Sequence, residues 1–177
     1  MNDKIKIGLV QINNSFANQN YFPYSVGILQ AFAKKYLANI DNFEFLLPIY
    51  KRIPVDIAVK SLLDAEIVFF SVYVWNFKIS LEIARQIKKN KPQTLIIFGG
   101  PHVPLKATEE FLRSWPLIDI VCHGEGEINF HSILENYFHQ DWEKVPSISY
   151  IDEKGNFNKT PLCERMADLN KIPSPYL

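Results

Sequence analysis

The sequence alternates five times between short apolar runs and amphipathic stretches, and this alternation constrains the fold more than any other feature. Apolar runs predict buried strands at residues 5–12, 43–49, 66–74, 94–98 and 118–122. Apolar residues spaced by three and four predict helices at 23–37, 56–63, from 76 onward, 105–113 and 128–139. Alternating strands and helices form a parallel sheet with helices on both faces. We therefore predict an α/β fold with a five-stranded parallel sheet.

We predict the strand order 2-1-3-4-5, which is that of flavodoxin-like or Rossmann-like sheets. Such sheets bind ligands outside the carboxyl ends of their strands. The loops predicted at that edge cover residues 13–24, 71–76, 99–104 and 123–127. Gly99 and Gly100 directly follow the fourth strand, where residues without Cβ allow a sharp turn or a ligand against bare backbone. Spacing alone leaves both interpretations open.

The sequence departs from this alternation after residue 142. Residues 147–151 and 157–160 flank Asp-Glu-Lys-Gly, a pattern that predicts a β-hairpin. Pro173 and Pro175 then favour an extended segment. We predict an α/β domain over 1–142, followed by a hairpin and linker over 143–177, and we expect the chain to be a piece of a larger protein.

Composition and charge exclude several classes of function. Lys plus Arg and Asp plus Glu number 19 each, so the net charge is zero and gives no attraction to nucleic acid or to an anionic membrane. The apolar runs are shorter than a membrane span, and the N-terminus does not resemble a signal peptide. Cys122 and Cys163 make neither a disulfide framework nor a zinc site. We expect a cytoplasmic protein without nucleic-acid or membrane partners.

Five segments, in this order, resemble the N-terminal cobalamin-binding domain of B12-dependent radical S-adenosylmethionine (SAM) enzymes. They are PYSVGIL at 23–29, GGPHVP at 99–104, DIVCHGEGE at 119–127, VPSISY at 145–150 and IPSPY at 172–176. Each segment alone is unspecific, and their order and spacing carry the resemblance. It implies that the corrin ring of cobalamin lies over the carboxyl edge of the sheet, with its nucleotide tail entering beside strands three and four.

The resemblance further implies thirteen cofactor-binding residues and no catalytic residue. They are Asn13, Tyr24, Ser71, Tyr73, Trp75, Asn76, Gly99, Gly100, Pro101, His102, Gly124, Glu125 and Gly126. Ser71 would offer its hydroxyl to the tail, and residues 124–126 would form a wall beside the corrin. The tail would pass against the backbone of Gly99 and Gly100, so Gly100→Leu is expected to abolish corrinoid binding and leave the fold intact.

The histidines lack the Asp-x-His-x-x-Gly motif with which many cobalamin proteins ligate cobalt. His123 comes nearest, with Gly126 three residues later but Val121 two residues earlier. The resemblance therefore implies cobalamin bound base-off and without a histidine ligand. It also implies that SAM and a [4Fe–4S] cluster belong to a missing C-terminal radical SAM domain, because this chain has no Cys-x-x-x-Cys-x-x-Cys loop. The parent enzyme would perform methyl transfer or related radical chemistry.

Structural interpretations of the same residues remain open. His102 and His123 are also typical of loop histidines with a backbone partner. Glu125 is also typical of the first turn of a helix, where the helix dipole favours a carboxylate. Tyr73 and Trp75 are also typical of packing residues. These side chains could therefore serve the fold alone.

Two other functions compete with cobalamin binding. Asn13-Asn14-Ser15 could form a poor phosphate loop in a flavin-binding, flavodoxin-like electron carrier. A degenerate domain that binds no cofactor and docks a partner is the other alternative. A phosphoacceptor receiver domain is excluded, because it needs acidic residues where Asn13, Asn14 and Ser71 stand.

Overall fold

The computed structural model of the protein describes residues 3–17 and 19–176. Met1, Asn2, Asn18 and Leu177 lie outside the described residues, and with them one position of the predicted loop at 13–24 and the end of the predicted linker. The strands are β1 Ile5–Val10, β2 Ser15–Phe16, β3 Gln19–Asn20, β4 Phe43–Phe45, β5 Ile67–Ser71, β6 Leu95–Gly99, β7 Ile120–Cys122, β8 Ile148–Ile151 and β9 Phe157–Lys159. The helices are α1 Tyr24–Tyr36, α2 Val55–Leu62, α3 Phe77–Asn90, α4 Thr108–Ser114 and α5 Gly126–Asn136.

The main sheet has seven strands in the order β4-β1-β5-β6-β7-β8-β9. The first five are parallel, whereas β8 runs antiparallel to β7 and β9 antiparallel to β8. The predicted α/β fold with a mostly parallel sheet is confirmed. The main sheet has two strands more than the predicted five parallel ones, because the hairpin strands β8 and β9 extend it. β2 and β3 form a separate antiparallel pair within the polar loop after β1.

Helices cover both faces of the sheet and pack their apolar sides against it. Neighbouring residues of β5 point to opposite faces, as strand geometry requires. Phe69 packs in the layer that contains α1 and α5, and Phe70 packs in the layer that contains α2 and α3. Burial on both faces explains why the central strands are continuous apolar runs. In the described ranges, no helix combines the length and apolar character needed to cross a membrane.

The structure corrects several predicted element ends. The second strand stops at Phe45, and the chain rejoins β1 only at a single bridge to Ile49, because the intervening Pro48 has no N–H to donate. Helix α2 begins at Val55, so Asp56 lies in its first turn and is not the N-cap. Helix α4 begins three residues later than predicted, after Ala107 in a left-handed conformation with φ 57°. Helix α5 begins at Gly126, two residues earlier than predicted.

Candidate functional site

A cavity of about 300 Å³ opens at the carboxyl ends of β5, β6 and β7, and we refer to it as the carboxyl-edge cavity. It lies between the first turns of α1 and the start of α5. Buried apolar residues line its inner part, among them Val26, Phe69 and Cys122. Residues that are half-buried or exposed line its rim, among them Ser25 and Tyr73. The cavity therefore offers an apolar interior beneath a more polar opening.

Nine of the thirteen predicted binding residues line the carboxyl-edge cavity. They are Tyr24, Ser71, Tyr73, Gly99, Gly100, Pro101, Gly124, Glu125 and Gly126. These residues come from four separate parts of the sequence, and the parallel sheet brings them together because the carboxyl ends of its strands share one edge. Their binding role stays a prediction, while their common location is a property of the fold.

The other four predicted residues lie outside this cavity. Asn13 and Trp75 line a neighbouring surface groove that they share with Gln11 and Tyr21. His102 packs on the ring of Phe77, with 4.3 Å between the ring centroids. These contacts place Asn13, Trp75 and His102 beside the cavity and not in its wall.

Asn76 is the fourth of these residues, and its side chain holds the loop after β5 in place. Its Oδ1 accepts a hydrogen bond from the backbone N–H of Tyr73 at 2.8 Å. Its Nδ2 donates to the carbonyl oxygens of Ile12 and Ser71, both at 3.0 Å. The buried amide thus links the ends of β1 and β5, and the structure gives it this positioning role.

Gly99 and Gly100 lack side chains for different reasons. Gly100 has φ 102°, and a Cβ placed on it would lie 2.8 Å from the carbonyl oxygen of Val72. The backbone itself therefore requires glycine there, and the expectation that Gly100→Leu leaves the fold intact is wrong. A Cβ on Gly99 would meet only the Cβ of Cys122, at an ordinary 3.5 Å. Gly99 is thus the position at which a side chain would enter the cavity without straining the chain.

Two hydroxyl groups meet on the rim of the cavity. The hydroxyl of Tyr73 lies 3.1 Å from Ser25 Oγ, which joins the loop after β5 to the first turn of α1. The Tyr73 ring stacks on Trp75, with centroids 4.6 Å apart and planes inclined by 13°. Arg52 in turn donates to the backbone carbonyl of Trp75 at 2.9 Å. Tyr73 is therefore a rim residue and not part of the buried core.

Glu125 connects the cavity to the C-terminal segment. Its Oε2 accepts a hydrogen bond from the backbone N–H of Met166 at 3.0 Å. It precedes α5, but its side chain makes no capping hydrogen bond. The carboxylate thus holds Met166 beside the cavity wall, a role that its position before a helix did not predict.

The described part of the chain contains all four histidines, and none of them lines the carboxyl-edge cavity. His123 is buried and its Nε2 lies 2.9 Å from Ser149 Oγ. Burial, with a smaller contribution from the charge of Lys159, lowers the pKa of His123 to about 4, so its ring is neutral at pH 7. Burial also raises the pKa of the Cys122 thiol to about 12, which keeps the cavity floor uncharged.

Sequence reasoning missed part of the cavity wall. Ser25, Ile28 and Leu29 of α1 contribute to it, together with Cys122 at the end of β7. Positions 25, 28 and 29 share one helix face by their spacing of three and four. The signal was therefore present in the sequence, but the orientation of that face toward the carboxyl edge required the structure.

Comparison with known proteins finds both a family model and curated relatives for this chain. The family model of the B12 binding domain matches residues 5–134. The cobalamin-dependent radical SAM methyltransferase TokK of Streptomyces tokunonensis is 30% identical over 159 residues, which cover 89% of this chain and 23% of that protein. A 2-(S-pantetheinyl)-carbapenam-3-carboxylate methyltransferase of Streptantibioticus cattleyicolor is 31% identical with the same coverage. The chain thus spans about a quarter of the length of these curated relatives.

Two solved structures share the fold. The cobalamin-dependent SAM radical enzyme OxsB, with aqua-cobalamin and SAM bound, matches with a TM-score of 0.75 and 21% identity, over 96% of this chain and 24% of that one. The radical SAM methyltransferase TsrM from Kitasatospora setae, with cobalamin and a [4Fe–4S] cluster bound, matches with a TM-score of 0.64 and 14% identity, over 97% of this chain and 31% of that one.

Proposed function

The chain belongs to the B12 binding domain family, and from this premise we propose that it binds cobalamin with the nucleotide tail in the carboxyl-edge cavity. The observation that carries the proposal is the convergence of nine predicted binding residues on one cavity in a chain of this family. The corrin ring would then lie over the carboxyl edge, beside residues 124–126.

The residues of the cavity fit such a tail. The buried side chains of Val26 and Phe69 supply apolar surface for a flat aromatic base. The missing Cβ of Gly99 leaves the wall beside Cys122 open. Nearer the rim, the hydroxyl of Ser71 would hydrogen-bond the sugar-phosphate part of the tail. An apolar interior with a few polar groups near its opening is typical of cofactor sites.

We further propose that cobalt has neither a histidine nor the cofactor's own base as its lower ligand. A base held in the cavity would be kept away from the cobalt. No histidine of the described residues lines the cavity, and the His123 ring is engaged by Ser149. Bound cobalamin supplies a cobalt centre that can accept and pass on a methyl group.

The lengths and names of the relatives support a wider proposal. Because TokK and the carbapenam methyltransferase are about four times as long as the matched region, we propose that this chain is the cobalamin-binding part of a larger radical SAM enzyme. SAM and the [4Fe–4S] cluster would bind in a separate radical SAM domain. Residues 1–142 would form the cofactor domain, and residues 143–177 the hairpin and the linker toward that domain.

Corrinoid retention tests the proposed function. The chain is mixed with hydroxocobalamin, free ligand is removed by gel filtration, and the visible spectrum of the protein peak is recorded. We expect retained corrinoid with a base-off spectrum. Retained corrinoid in its base-on form would contradict the placement of the tail, and a colourless protein peak would contradict cobalamin binding. The same procedure with flavin mononucleotide tests the flavin alternative.

A variant that fills the cavity tests where the tail lies. Gly99→Leu adds a side chain at a position where the backbone tolerates one, so we expect the affinity for hydroxocobalamin to fall at least about a hundredfold, equivalent to about 3 kcal/mol. The matched control is cobinamide, which has no nucleotide tail and should bind the parent chain and the variant equally. An equal loss for both ligands would show that Gly99 acts on the corrin or on the fold.

A further inference from the structure

The Tyr73–Ser25 hydrogen bond crosses the rim of the carboxyl-edge cavity. Tyr73 belongs to the loop after β5, and Ser25 to the first turn of α1, on the other side of the opening. Their oxygen atoms are 3.1 Å apart. Because both residues line the cavity and both are only half-buried, the bridge closes this side of the opening above the buried interior.

The backbone and the side chain of Tyr73 are held with different strength. Its backbone N–H is fixed by the fully buried Asn76 at 2.8 Å. Its side chain has a single hydrogen-bond partner within residues 3–17 and 19–176, which is Ser25, and otherwise stacks on the exposed Trp75. The ring can therefore rotate away from the rim by breaking one neutral hydrogen bond and its stacking on Trp75, while the loop that carries it stays in place.

We propose that the Tyr73–Ser25 pair gates the carboxyl-edge cavity and thereby limits the rate at which corrinoids that carry a nucleotide tail enter it. This inference rests on the proposed function. The pair must separate before a bulky tail enters, so the open state is a minor state that the tail requires. A corrinoid without a tail leaves the cavity empty and does not need the pair to open.

The gate makes a kinetic prediction. The observed association rate is proportional to the fraction of molecules in which the gate is open. Removing one neutral hydrogen bond raises that fraction about fivefold, the factor that corresponds to about 1 kcal/mol. Tyr73→Phe and Ser25→Ala remove the same bond, so each should accelerate entry of a tail, and the double variant should be no faster than either one.

Stopped-flow absorbance of the chain mixed with hydroxocobalamin or with dicyanocobinamide tests the gate. We expect about fivefold faster association of hydroxocobalamin with each single variant and with the double variant. The tailless cobinamide should associate at the parent rate throughout. The matched control is Tyr36→Phe, which removes the hydroxyl that donates to the carbonyl of Lys171 at 2.7 Å, away from the cavity, and it should leave both rates unchanged.

Two results would overturn the gate while the proposed function stands. One is an unchanged hydroxocobalamin rate in Tyr73→Phe, measured in a parent chain that binds the ligand. The other is an equal acceleration of cobinamide, which would show a general loosening of the rim. A parent chain that binds no hydroxocobalamin would overturn both the gate and the proposed function. Thermal unfolding midpoints of all variants verify that each one is folded.

Discussion

The two edges of the main sheet use their polar side chains in opposite ways. At the amino ends of the strands, carboxylates are bound to strand backbone. Glu66 accepts from the backbone N–H of Lys6, and Asp119 accepts from that of Ile96, both at 2.7 Å. Lysines of α3 and the turn after it neutralise these carboxylates, with Lys88 at 2.7 Å from Asp119. Ion pairs and hydrogen bonds from carboxylates to backbone N–H groups therefore stabilise this edge.

The carboxyl edge is held differently. Among the described residues, no ion pair involves a residue that lines the carboxyl-edge cavity. Its polar contacts are instead the neutral pair of Tyr73 and Ser25, the hydrogen bonds of Asn76, and the bond from the Met166 N–H to Glu125. The comparison teaches that ion pairs stabilise the amino edge, whereas the carboxyl edge combines residues of the fold with the proposed binding residues, so variants at the amino edge should leave corrinoid binding unchanged.

The largest effect is expected from the pH dependence of His123, a fold residue at the carboxyl edge. Its folded pKa of about 4 lies below the ordinary 6.5, so as pH falls through this window the unfolded chain gains a proton that the folded chain does not. The unfolding free energy should therefore drop by up to about 3 kcal/mol from pH 7 to pH 4. Urea denaturation of the parent and of His123→Gln, which has no such titration, measures the difference. Identical pH profiles would contradict the burial of a neutral ring.

Loss of a carboxylate at the amino edge should be the next largest effect. Asp119→Ala leaves the Ile96 N–H and the charge of Lys88 without their partner, which should cost about 2–3 kcal/mol of unfolding free energy. Hydroxocobalamin affinity should stay unchanged. The matched control is Glu109→Ala, whose pair with Arg113 is exposed and should contribute less than about 0.5 kcal/mol. Weakened corrinoid binding by folded Asp119→Ala would break the proposed separation of the edges.

The adjacent glycines give the smallest and sharpest comparison. Gly100→Ala should cost about 1–2 kcal/mol, because φ 102° and the carbonyl oxygen of Val72 oppose a Cβ. Gly99→Ala should change the unfolding free energy by less than about 0.5 kcal/mol, since its Cβ finds ordinary contact with Cys122. Chemical denaturation of both variants measures the difference. Equal losses would show that Gly99 is also required by the fold.

The overall fold could be predicted because burial on both faces leaves continuous apolar runs such as β5 and β6. The ends of elements that depend on a single residue, such as a proline or a left-handed residue, could not be predicted. Pro48 ended the second strand early. Helix α2 begins one residue before Asp56, which is therefore not its N-cap, and helix α4 begins only after Ala107, which has a left-handed conformation. The hairpin joined the main sheet through β8, which pairs with β7. The alternating pattern of a hairpin does not indicate which strand of the sheet it will pair with.

The candidate site divides in the same way. Residues at the end of a strand, such as Ser71 and Gly99, could be assigned to the carboxyl edge because the carboxyl ends of parallel strands share it. The hydrogen-bond partners of nearby residues could not be assigned, since they depend on contacts between distant segments of the chain. Asn76 binds Ile12, and Glu125 binds Met166. Gly100 lacks a side chain because a Cβ would meet the carbonyl oxygen of Val72, although the resemblance implied a ligand there.

The most direct test of cobalamin binding with its tail in the cavity is the electron paramagnetic resonance spectrum of the chain loaded with cobalamin and reduced to the cob(II)alamin state. We predict a cobalt spectrum without nitrogen superhyperfine splitting, because the base lies in the cavity and no histidine replaces it. A spectrum with such splitting would show a nitrogen ligand on cobalt and would contradict the account.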